Sequence, residues 1–480
     1  MIDPSNAEAG LPRRLPRLRT RQKVGYAAGA MVDGVATQAI TIFLMFYATA
    51  VCGLPAAMVG AALAAGLVVD AIVDPLIGSL SDAWRSRFGR RLPFMLIGAP
   101  ATAAFLVLIF TLPRGWSVPA LTGWLTLMSV GLRVSISLFL LPFNAVGAEL
   151  SDDYEERSSV AAWRWALAMF GAVATVVLGF AVFLSGPSGL SRREAYPAFA
   201  VTLGMLVLAA GALSILTLNR MKDRLHPPTS SESRLHARLA RELGELFANR
   251  SFVVLFVAAL LVFTASAIHS TLAIHMNTYF WGMRPDQVQL VTLALFAGLL
   301  CGAPFAGPLL RRMEKRNVLI MGILGLGGAF ALPPTARLLG VLQAGPPPVG
   351  LLASGVFLGG ALMATAAIAF ASMMADAADE HEYLFGARRE GLFFAGWTFA
   401  SKAASGLGSL LAGLALQIIR FPASASAGQI TLPESVKTML GIIYGPGAGC
   451  LALGAALVCA LYRLDVKAHR RLMIKLGRAP

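Results

Sequence analysis

Long apolar runs alternate with short polar segments along the whole chain. A helix that crosses a bilayer needs about 20 mostly apolar residues, and the runs are long enough for twelve such helices. We therefore predict an all-α membrane protein with twelve transmembrane helices. The predicted helices lie near residues 24–50, 56–82, 93–113, 118–148, 159–185, 196–219, 251–280, 287–310, 318–339, 349–375, 390–419 and 437–462.

Composition supports a membrane protein. Hydrophobic residues make up 57% of the chain and charged residues only 14%, against roughly 25% charged residues in a soluble domain. The lipid bilayer is therefore the first predicted partner. The net charge of +15 would fit a nucleic-acid partner, but most basic residues lie in short segments between the apolar runs. That placement indicates membrane topology, so we expect no nucleic acid.

The basic residues also predict orientation. Alternate connecting segments, counted from the N-terminal tail, carry roughly 30 Lys and Arg residues, against about 7 in the other set. Because cytoplasmic loops carry this excess, we predict that both termini are cytoplasmic. The apolar run after the basic tail is too long for a cleavable signal and is predicted to be the first membrane helix. We expect a multi-pass protein of the cell membrane, with a bacterial inner membrane favoured.

The chain divides into two halves that weakly repeat each other. Pro75-Leu-Ile-Gly78 precedes a basic loop after the second helix, and Pro304-Phe-Ala-Gly307 precedes another after the eighth. Two six-helix halves with one linker are the organisation of the major facilitator fold, which holds substrate between the halves. The predicted divisions are a first half at 1–219 with a tail at 1–23, a cytoplasmic linker at 220–250, a second half at 251–462 and a basic cytoplasmic tail at 463–480.

Enzyme chemistry has no support in the sequence. The four cysteines form no CxxC and no Cys/His metal spacing, and neither HExxH nor a P-loop occurs. We therefore expect no enzyme activity, no cofactor and no metal site. The expected ligands are a small-molecule substrate and a coupling ion, H⁺ or Na⁺, and we expect a functional monomer.

Six ionisable residues lie inside predicted helices. A charge at membrane depth costs several kcal/mol, so its default role is functional. Asp70 and Asp74 lie four residues apart and so share one face of the second helix. With Ser137 of the fourth helix they form a candidate cation site. The alternative is that both carboxylates are structural and pair with Arg133 or Arg164.

The other membrane charges are substrate candidates. Asp33 of the first helix is a candidate for substrate hydroxyls, or for a structural ion pair. Arg164 and Lys402 lie in opposite halves, and either would hold a carboxylate when the cation is absent, or would neutralise it permanently. Arg133 and Asn144 share a polar stripe of the fourth helix, where Arg133 would attract an anionic group or extend to the outer interface.

Two histidines of the seventh helix, His269 and His275, are compatible with a proton relay, although hydrogen-bonded structure is the more common role. The polar segments at the helix ends supply gating candidates. Charges there would clamp neighbouring helix ends in one conformation and release them in another, or would simply anchor the loops. The gating candidates are Asp82, Arg90, Arg91, Asp376 and Arg389.

These motifs together resemble one family. Asp70-Ala-Ile-Val-Asp74-Pro75, the basic loop after it, and Pro142-Phe143 resemble the glycoside–pentoside–hexuronide:cation symporters, which belong to the major facilitator superfamily. So do Arg164 and Lys402, each after an acidic segment. The resemblance spans both halves in the same order.

The resemblance implies cation-coupled sugar transport. It places the cation on Asp70, Asp74 and Ser137, and the sugar on Asp33 and Arg164. The chain departs from the melibiose-permease pattern at three positions. A carboxylate shared by sugar and cation is Leu140 here, a sugar-stacking tryptophan is Asn144, and a basic residue before the carboxylate pair is Leu67.

We therefore expect a secondary active transporter for cation-coupled symport of a glycoside, pentoside or uronide. The loss of a carboxylate makes a proton more plausible than in the prototype. The alternative is a lipid or lysolipid transporter of the same superfamily, which would favour apolar side chains along the substrate path. A membrane-embedded enzyme or sensor is a further alternative, but no motif supports it.

Overall fold

The computed structural model describes residues 17–478 apart from 85, 87–88, 152, 187, 222–241, 243, 343–344, 388 and 423–431. Twelve helices are long and apolar enough to cross a bilayer, and the described residues form no strand, so the predicted fold class is confirmed. In chain order these helices are α1 (Thr20–Leu44), α2 (Ala56–Ala83), α3 (Leu92–Ile109), α4 (Val118–Gly147), α5 (Glu155–Phe183), α6 (Ala195–Asn219), α7 (Arg250–Phe280), α8 (Pro285–Arg312), α9 (Lys315–Leu338), α10 (Val349–Phe385), α11 (Glu390–Ile418) and α12 (Glu434–Ala460).

Polar side chains start two of these helices. The Asp153 carboxylate accepts a hydrogen bond of 2.8 Å from the Glu156 amide before α5. The Asn249 side chain accepts one of 2.8 Å from the Phe252 amide at the start of α7. Each cap satisfies an amide that has no partner within its own helix. The acidic segment before α5 is therefore the beginning of a helix as well as a loop.

Helix α10 is longer than the sequence pattern predicts. We expected it to end near residue 375 and the acidic segment to form a loop, but the helix continues to Phe385. It ends at Gly386, whose φ of 72° is a left-handed C-cap that favours glycine. The gating candidate Asp376 therefore lies on the helix, and its carboxylate pairs with Lys315 at 2.6 Å. Ion pairing allows the helix to extend beyond its apolar stretch.

The two halves repeat the same packing. Helix α3 packs on α4 and α6, α2 on α4, and α1 on α5. In the second half α9 packs on α10 and α12, α8 on α10, and α7 on α11, which are the same pairs displaced by six helices. The predicted domain boundaries stay a prediction, because most of the linker lies outside the described residues. The basic C-terminal tail contains a further helix, α13 (Val466–Lys475), which packs on α10.

The halves meet most closely on the side of the membrane opposite the termini, here called the far side. Helix α2 packs along α11, and a Cβ added at Gly413 would lie 2.4 Å from the Ala56 carbonyl oxygen and 2.9 Å from the Gly60 Cα. Helix α1 meets α7, and just beyond the end of α1, in the segment Tyr47–Val51, Thr49 Oγ1 lies 3.0 Å from His275 Nε2 in a buried contact. On the termini side, the ion pairs between described residues join charges of the same half or, for Arg389, of the adjacent linker.

The Gly413 contact predicts a steric effect. We expect Gly413→Val to lower the free energy of unfolding by about 1–3 kcal/mol, because its side chain must push α2 and α11 apart. The measurement is thermal unfolding of the purified protein in detergent. Gly355→Val is the matched control, since an added Cβ there meets nothing within 4 Å. Equal melting temperatures for the two variants would contradict the close packing.

Candidate functional site

The first carboxylate of the predicted cation site forms an ion pair within the first half. Arg133 Nη1 of α4 donates a hydrogen bond of 2.9 Å to Asp70 Oδ2. The Asp70 side chain is 6% exposed, so its charge depends on this partner. Gly66, one turn before Asp70, gives the guanidinium room: a Cβ there would lie 2.3 Å from Arg133 Cδ. Arg133 therefore points toward Asp70 rather than the outer interface, and its role toward an anionic substrate group stays a prediction.

The second carboxylate joins the two halves. Lys402 Nζ of α11 donates a hydrogen bond to Asp74 Oδ2 of α2. The other oxygen, Asp74 Oδ1, is buried and has no hydrogen-bond partner among the described residues. The Asp74 carboxylate thus binds the Lys402 ammonium of the opposite half through Oδ2, and its Oδ1 keeps an unused hydrogen-bond acceptor.

The carboxylate pair is neutralised in this structure. Asp70 pairs with Arg133, which is the partner that the structural alternative named. Asp74 pairs with Lys402, which was predicted to hold a carboxylate when no cation is bound. Ser137 is buried on α4, one turn from Arg133, beside the α2 interface. Its role as a cation ligand stays a prediction. Among the described residues, no group of three or more His, Cys, Asp and Glu side chains could hold a metal ion.

A cavity of about 340 Å³ lies between α1, α4 and α5 of the first half. Asp33, Arg164 and Asn144 line it together, as expected for substrate candidates. Arg164 Nη2 donates to Asn144 Oδ1, and its guanidinium lies 5.2 Å from the centre of the Phe143 ring. Arg164 Nε is buried and has no partner in the part of the chain that the structure describes. The alternative in which Arg164 pairs with an α2 carboxylate is not observed here, since its guanidinium bonds Asn144; its role in substrate binding stays a prediction.

Asp33 has a local partner. Thr37, one turn later on α1, donates a hydrogen bond of 2.8 Å to Asp33 Oδ1. Among the described residues Asp33 forms no ion pair, so the structure does not support its structural alternative. Leu140 and Trp165 complete the wall of the cavity, so the site is apolar where the family pattern has a carboxylate. The side chain of Leu67 lies outside the described residues.

A second cavity of about 350 Å³ is walled mainly by the second half and by α1. Its polar lining includes Ser270, Thr292 and Gln38, and its apolar lining is rich in aromatic rings. Sequence reasoning gave these residues no role in substrate binding. Ser266, Ser270 and Asn277 recur at helical spacing on α7, and that recurrence was the available signal.

The two histidines of α7 are hydrogen-bonded to other helices. His269 Nε2 lies 2.9 Å from the Tyr444 carbonyl oxygen at the edge of the second cavity. His275 packs against Phe46 and Phe421 and contacts Thr49. These contacts favour hydrogen-bonded structure for His275, and the proton relay stays a prediction.

The gating candidates form charge clusters at the termini side. Glu149 Oε1 accepts a hydrogen bond from Arg90 and lies 2.7 Å from Arg91 Nη1. Arg91 Nη2 also donates a hydrogen bond of 2.8 Å to Asp82 Oδ1. This cluster ties the ends of α2, α3 and α4 together. The sequence analysis missed Glu149, which lies two residues after α4 and is the first acidic residue after that apolar run.

The second half has a corresponding cluster. Asp376 pairs with Lys315, and Arg389 lies 3.0 Å from Glu245, just before α7. Like the first cluster, it does not connect the two halves. The gating role of both clusters stays a prediction.

Two six-helix halves with internal charges and two cavities are the organisation of a multi-pass membrane transporter. The chain belongs to the family described as MFS/sugar transport protein, whose model matches residues 25–466. The predicted family and major facilitator fold are therefore confirmed.

Known proteins resemble the chain over nearly its whole length. It is 25% identical to the "Glucuronide carrier protein homolog" of Escherichia coli (strain K12), covering 96% of both chains. It is 24% identical to the "Sphingosine-1-phosphate transporter MFSD2B" of Mus musculus, covering 94% of this chain and 91% of that one. The solved xylose transporter XylE from E. coli matches with a TM-score of 0.61 at 13% identity, over 94% of this chain and 98% of that one. That structural likeness shows the fold.

The Asp74–Lys402 pair predicts a charge-compensation effect. Lys402→Ala leaves a carboxylate in the membrane without its cation, and we expect a loss of about 1–3 kcal/mol in unfolding free energy. Asp74→Asn combined with Lys402→Ala should recover most of that loss, because no charge remains unpaired. Thermal unfolding in detergent measures both.

Lys437→Ala is the matched control, since Lys437 pairs at 2.8 Å with an exposed Glu434. It should change stability little. A double variant no more stable than Lys402→Ala would show that the pair does not contribute through charge.

Proposed function

We propose that the protein is a secondary active transporter that couples a cation, H⁺ or Na⁺, to the symport of a sugar-like solute by alternating access. The solute class is a glycoside, pentoside or uronide. The observation that carries this proposal is the unpartnered Asp74 Oδ1 on a carboxylate whose other oxygen binds Lys402 of the opposite half. A transporter needs such a group to link ion binding to movement of its halves.

Coupling follows from competition for Asp74. A proton or metal cation at the free oxygen reduces the negative charge that holds Lys402, and so weakens the bridge between α2 and α11. A ligand shifts a conformational equilibrium by its difference in affinity for the two states. Here the state with the bridge broken has the higher affinity for the cation.

A proton needs fewer ligands at Asp74 than a metal cation does. A hard metal cation prefers several oxygen ligands, but Asp70 is held by Arg133 and the family carboxylate is Leu140. Protonation needs only the free Asp74 oxygen. Na⁺ would need Ser137 and Asp70 to turn toward it.

The first-half cavity is the proposed sugar site. The Arg164 guanidinium lines the cavity as a donor for a hydroxyl or a uronate carboxylate, and Asp33 is an acceptor for hydroxyls. The glucuronide carrier homolog supports a sugar acid among the candidates. Because Arg133 is engaged by Asp70, Arg164 is the available guanidinium for an anionic sugar.

The basic-residue pattern supports the termini side as the cytoplasmic side. With the halves packed at the far side, the observed state would then be closed to the exterior. Opening of the far side requires α2 to leave α11 and α1 to leave α7. Cation binding at Asp74 acts on the first of these contacts.

A lipid or lysolipid is the second candidate solute, favoured by the sphingosine-1-phosphate transporter among the relatives. Against it, the first-half cavity combines a carboxylate, a guanidinium and an amide, which suit a polyhydroxylated solute better than an acyl chain.

The test of this function is uptake into proteoliposomes. Labelled glycosides, pentosides, uronates and a lysophospholipid are offered, with proton and Na⁺ gradients imposed separately. We expect concentrative uptake of a sugar class driven by the proton gradient. Uptake of the lysophospholipid alone would replace the proposal with the lipid alternative, and no concentrative uptake of any solute would overturn it.

Coupling should depend on both α2 carboxylates. We expect Asp74→Asn to reduce the accumulation ratio to about one, the value without coupling, while downhill exchange persists. Asp70→Asn should also lose accumulation and, because Arg133 is left unpaired, stability. Undiminished uphill uptake in both variants would disprove the cation-site assignment.

Substrate binding should depend on Arg164. We expect Arg164→Ala to weaken binding by roughly 10–100-fold, the loss for one or two charge-assisted hydrogen bonds. Equilibrium dialysis with the solute found in the uptake test measures it. The control is Arg114→Ala, whose partner Glu194 is exposed. Unchanged binding in Arg164→Ala would restrict this residue to a structural role.

A further inference from the structure

A further cavity, of about 390 Å³, lies at the termini side of the second half. Its walls come from the start of α9, from α10, from the residues after α12 and from α13. Arg316 and Asp376 in its lining are the charges closest to the long charge-free runs of α9 and α10, and Tyr462 lies just before the first charge after α12. The cavity therefore lies where these helices leave the hydrocarbon layer of the bilayer.

Helix α13 lies close to the same level. The connection 461–465 between α12 and α13 spans at most roughly 17 Å. His469 Nε2 lies 3.1 Å from Asp379 Oδ2, and Arg478 Nη2 donates a hydrogen bond of 2.9 Å to Glu382 Oε1. These two carboxylates are roughly 6 and 10 Å beyond the charge-free run of α10. Because the headgroup layer is roughly 5–8 Å deep, α13 lies within or against it.

One face of α13 packs on the protein and the other is exposed. His469 contacts α10, and Leu472 is buried. On the exposed face Arg470 lies between the apolar side chains of Val466 and Ile474, one turn from each. Basic and apolar side chains on the same exposed face are typical of a helix that lies along a bilayer surface. The exposed basic residues of α13 are Lys467, Arg470, Arg471 and Lys475.

The carboxylates that line the cavity are already engaged. Asp376 Oδ2 accepts a hydrogen bond of 2.6 Å from Lys315 Nζ. Asp465 Oδ1 caps α13 by accepting one of 2.7 Å from the Ala468 amide, and Glu314 Oε2 accepts one of 3.4 Å from the first amide of α13. The last two lie at the N-terminus of α13, where the helix dipole stabilises negative charge. The acidic part of the lining therefore has its partners within the protein.

The two arginines of the cavity have no carboxylate partner. Neither Arg316 nor Arg470 forms an ion pair with any residue that the structure describes. Arg316 is half-buried and donates a hydrogen bond of 3.2 Å to the Tyr462 carbonyl through Nη1, which leaves its other N–H groups for a ligand. Arg470 is exposed on α13. Guanidinium groups bind phosphate oxygens with directed, charge-assisted hydrogen bonds, so the cavity suits a phosphate group.

We propose that this cavity and the exposed face of α13 bind the headgroup of an anionic phospholipid. Arg316 and Arg470 bind its phosphate diester, and Lys467 and Arg471 attract neighbouring anionic headgroups. A free phosphate ion offers the same oxygens, but the level of the cavity and the exposed apolar residues of α13 favour the lipid. The site is separate from the solute cavities and does not depend on what the protein transports.

The test is lipid binding to the full chain in detergent, measured by native mass spectrometry. The purified protein is depleted of lipid and titrated with phosphatidylglycerol, or with phosphatidylcholine of the same acyl chains, whose headgroup has no net charge. We expect the apparent dissociation constant of the first bound lipid to be at least roughly tenfold lower for phosphatidylglycerol. Equal affinity for the two lipids would overturn the proposal.

Charge variants locate the site. Arg316→Gln combined with Arg470→Gln removes both arginines of the cavity, and we expect phosphatidylglycerol binding to weaken at least roughly tenfold. Arg311→Gln combined with Arg312→Gln is the matched control. It removes the same charge from exposed residues at the end of α8, on the same side of the membrane but outside the cavity lining. The control should keep the affinity, and an equal loss in both double variants would overturn the site in favour of general surface charge.

Two further measurements complete the test. Inorganic phosphate in large molar excess should leave phosphatidylglycerol bound, whereas displacement of the lipid would assign the cavity to a free phosphate ion and overturn the lipid. Thermal unfolding without lipid checks the fold of each variant. If the double variant does not fold, Arg470→Glu decides, because it reverses an exposed charge that has no ion-pair partner among the described residues. Unchanged phosphatidylglycerol affinity in Arg470→Glu would overturn the site.

Discussion

The ion pair between Asp74 and Lys402 is the interaction on which the arrangement of the two halves depends. Among the ion pairs of the described residues, it alone joins the first half to the second. An unpaired charge inside a membrane helix is energetically unfavourable, so the ion pair holds α2 against α11. The free oxygen of Asp74 makes the same bond open to competition. The group proposed to couple the cation is therefore also the contact that joins the two halves.

The neighbouring pair has a different character. Asp70 and Arg133 belong to the same half, and Gly66 provides the space in which the guanidinium lies. This pair can stay intact while the halves move. It keeps a second negative charge beside Asp74 without leaving that charge unpaired. The charge clusters at the termini side follow the same rule, since each ties helix ends within its own half.

The cavities add an asymmetry to a repeated fold. The packing of helices repeats from one half to the other, but the ionisable lining lies in the first half and the uncharged lining in the second. Helix α1 lines both cavities, and the segment that follows it, Tyr47–Val51, carries the far-side contact between Thr49 and His275. In the proposed transport cycle, a solute bound in either cavity would therefore touch α1, which packs against α7.

The sequence by itself determined the twelve helices, because the length of an apolar run and the absence of water in lipid leave few alternatives. It also determined which charges lie at membrane depth. Only the tertiary structure decided their partners: Arg133 holds Asp70, whereas Arg164 turns to Asn144. Pairing depends on the depth and rotation of neighbouring helices, which local sequence does not encode. For the same reason the tertiary structure decided that α10 continues through its acidic segment, where Lys315 neutralises a charge that the sequence pattern assigned to a loop.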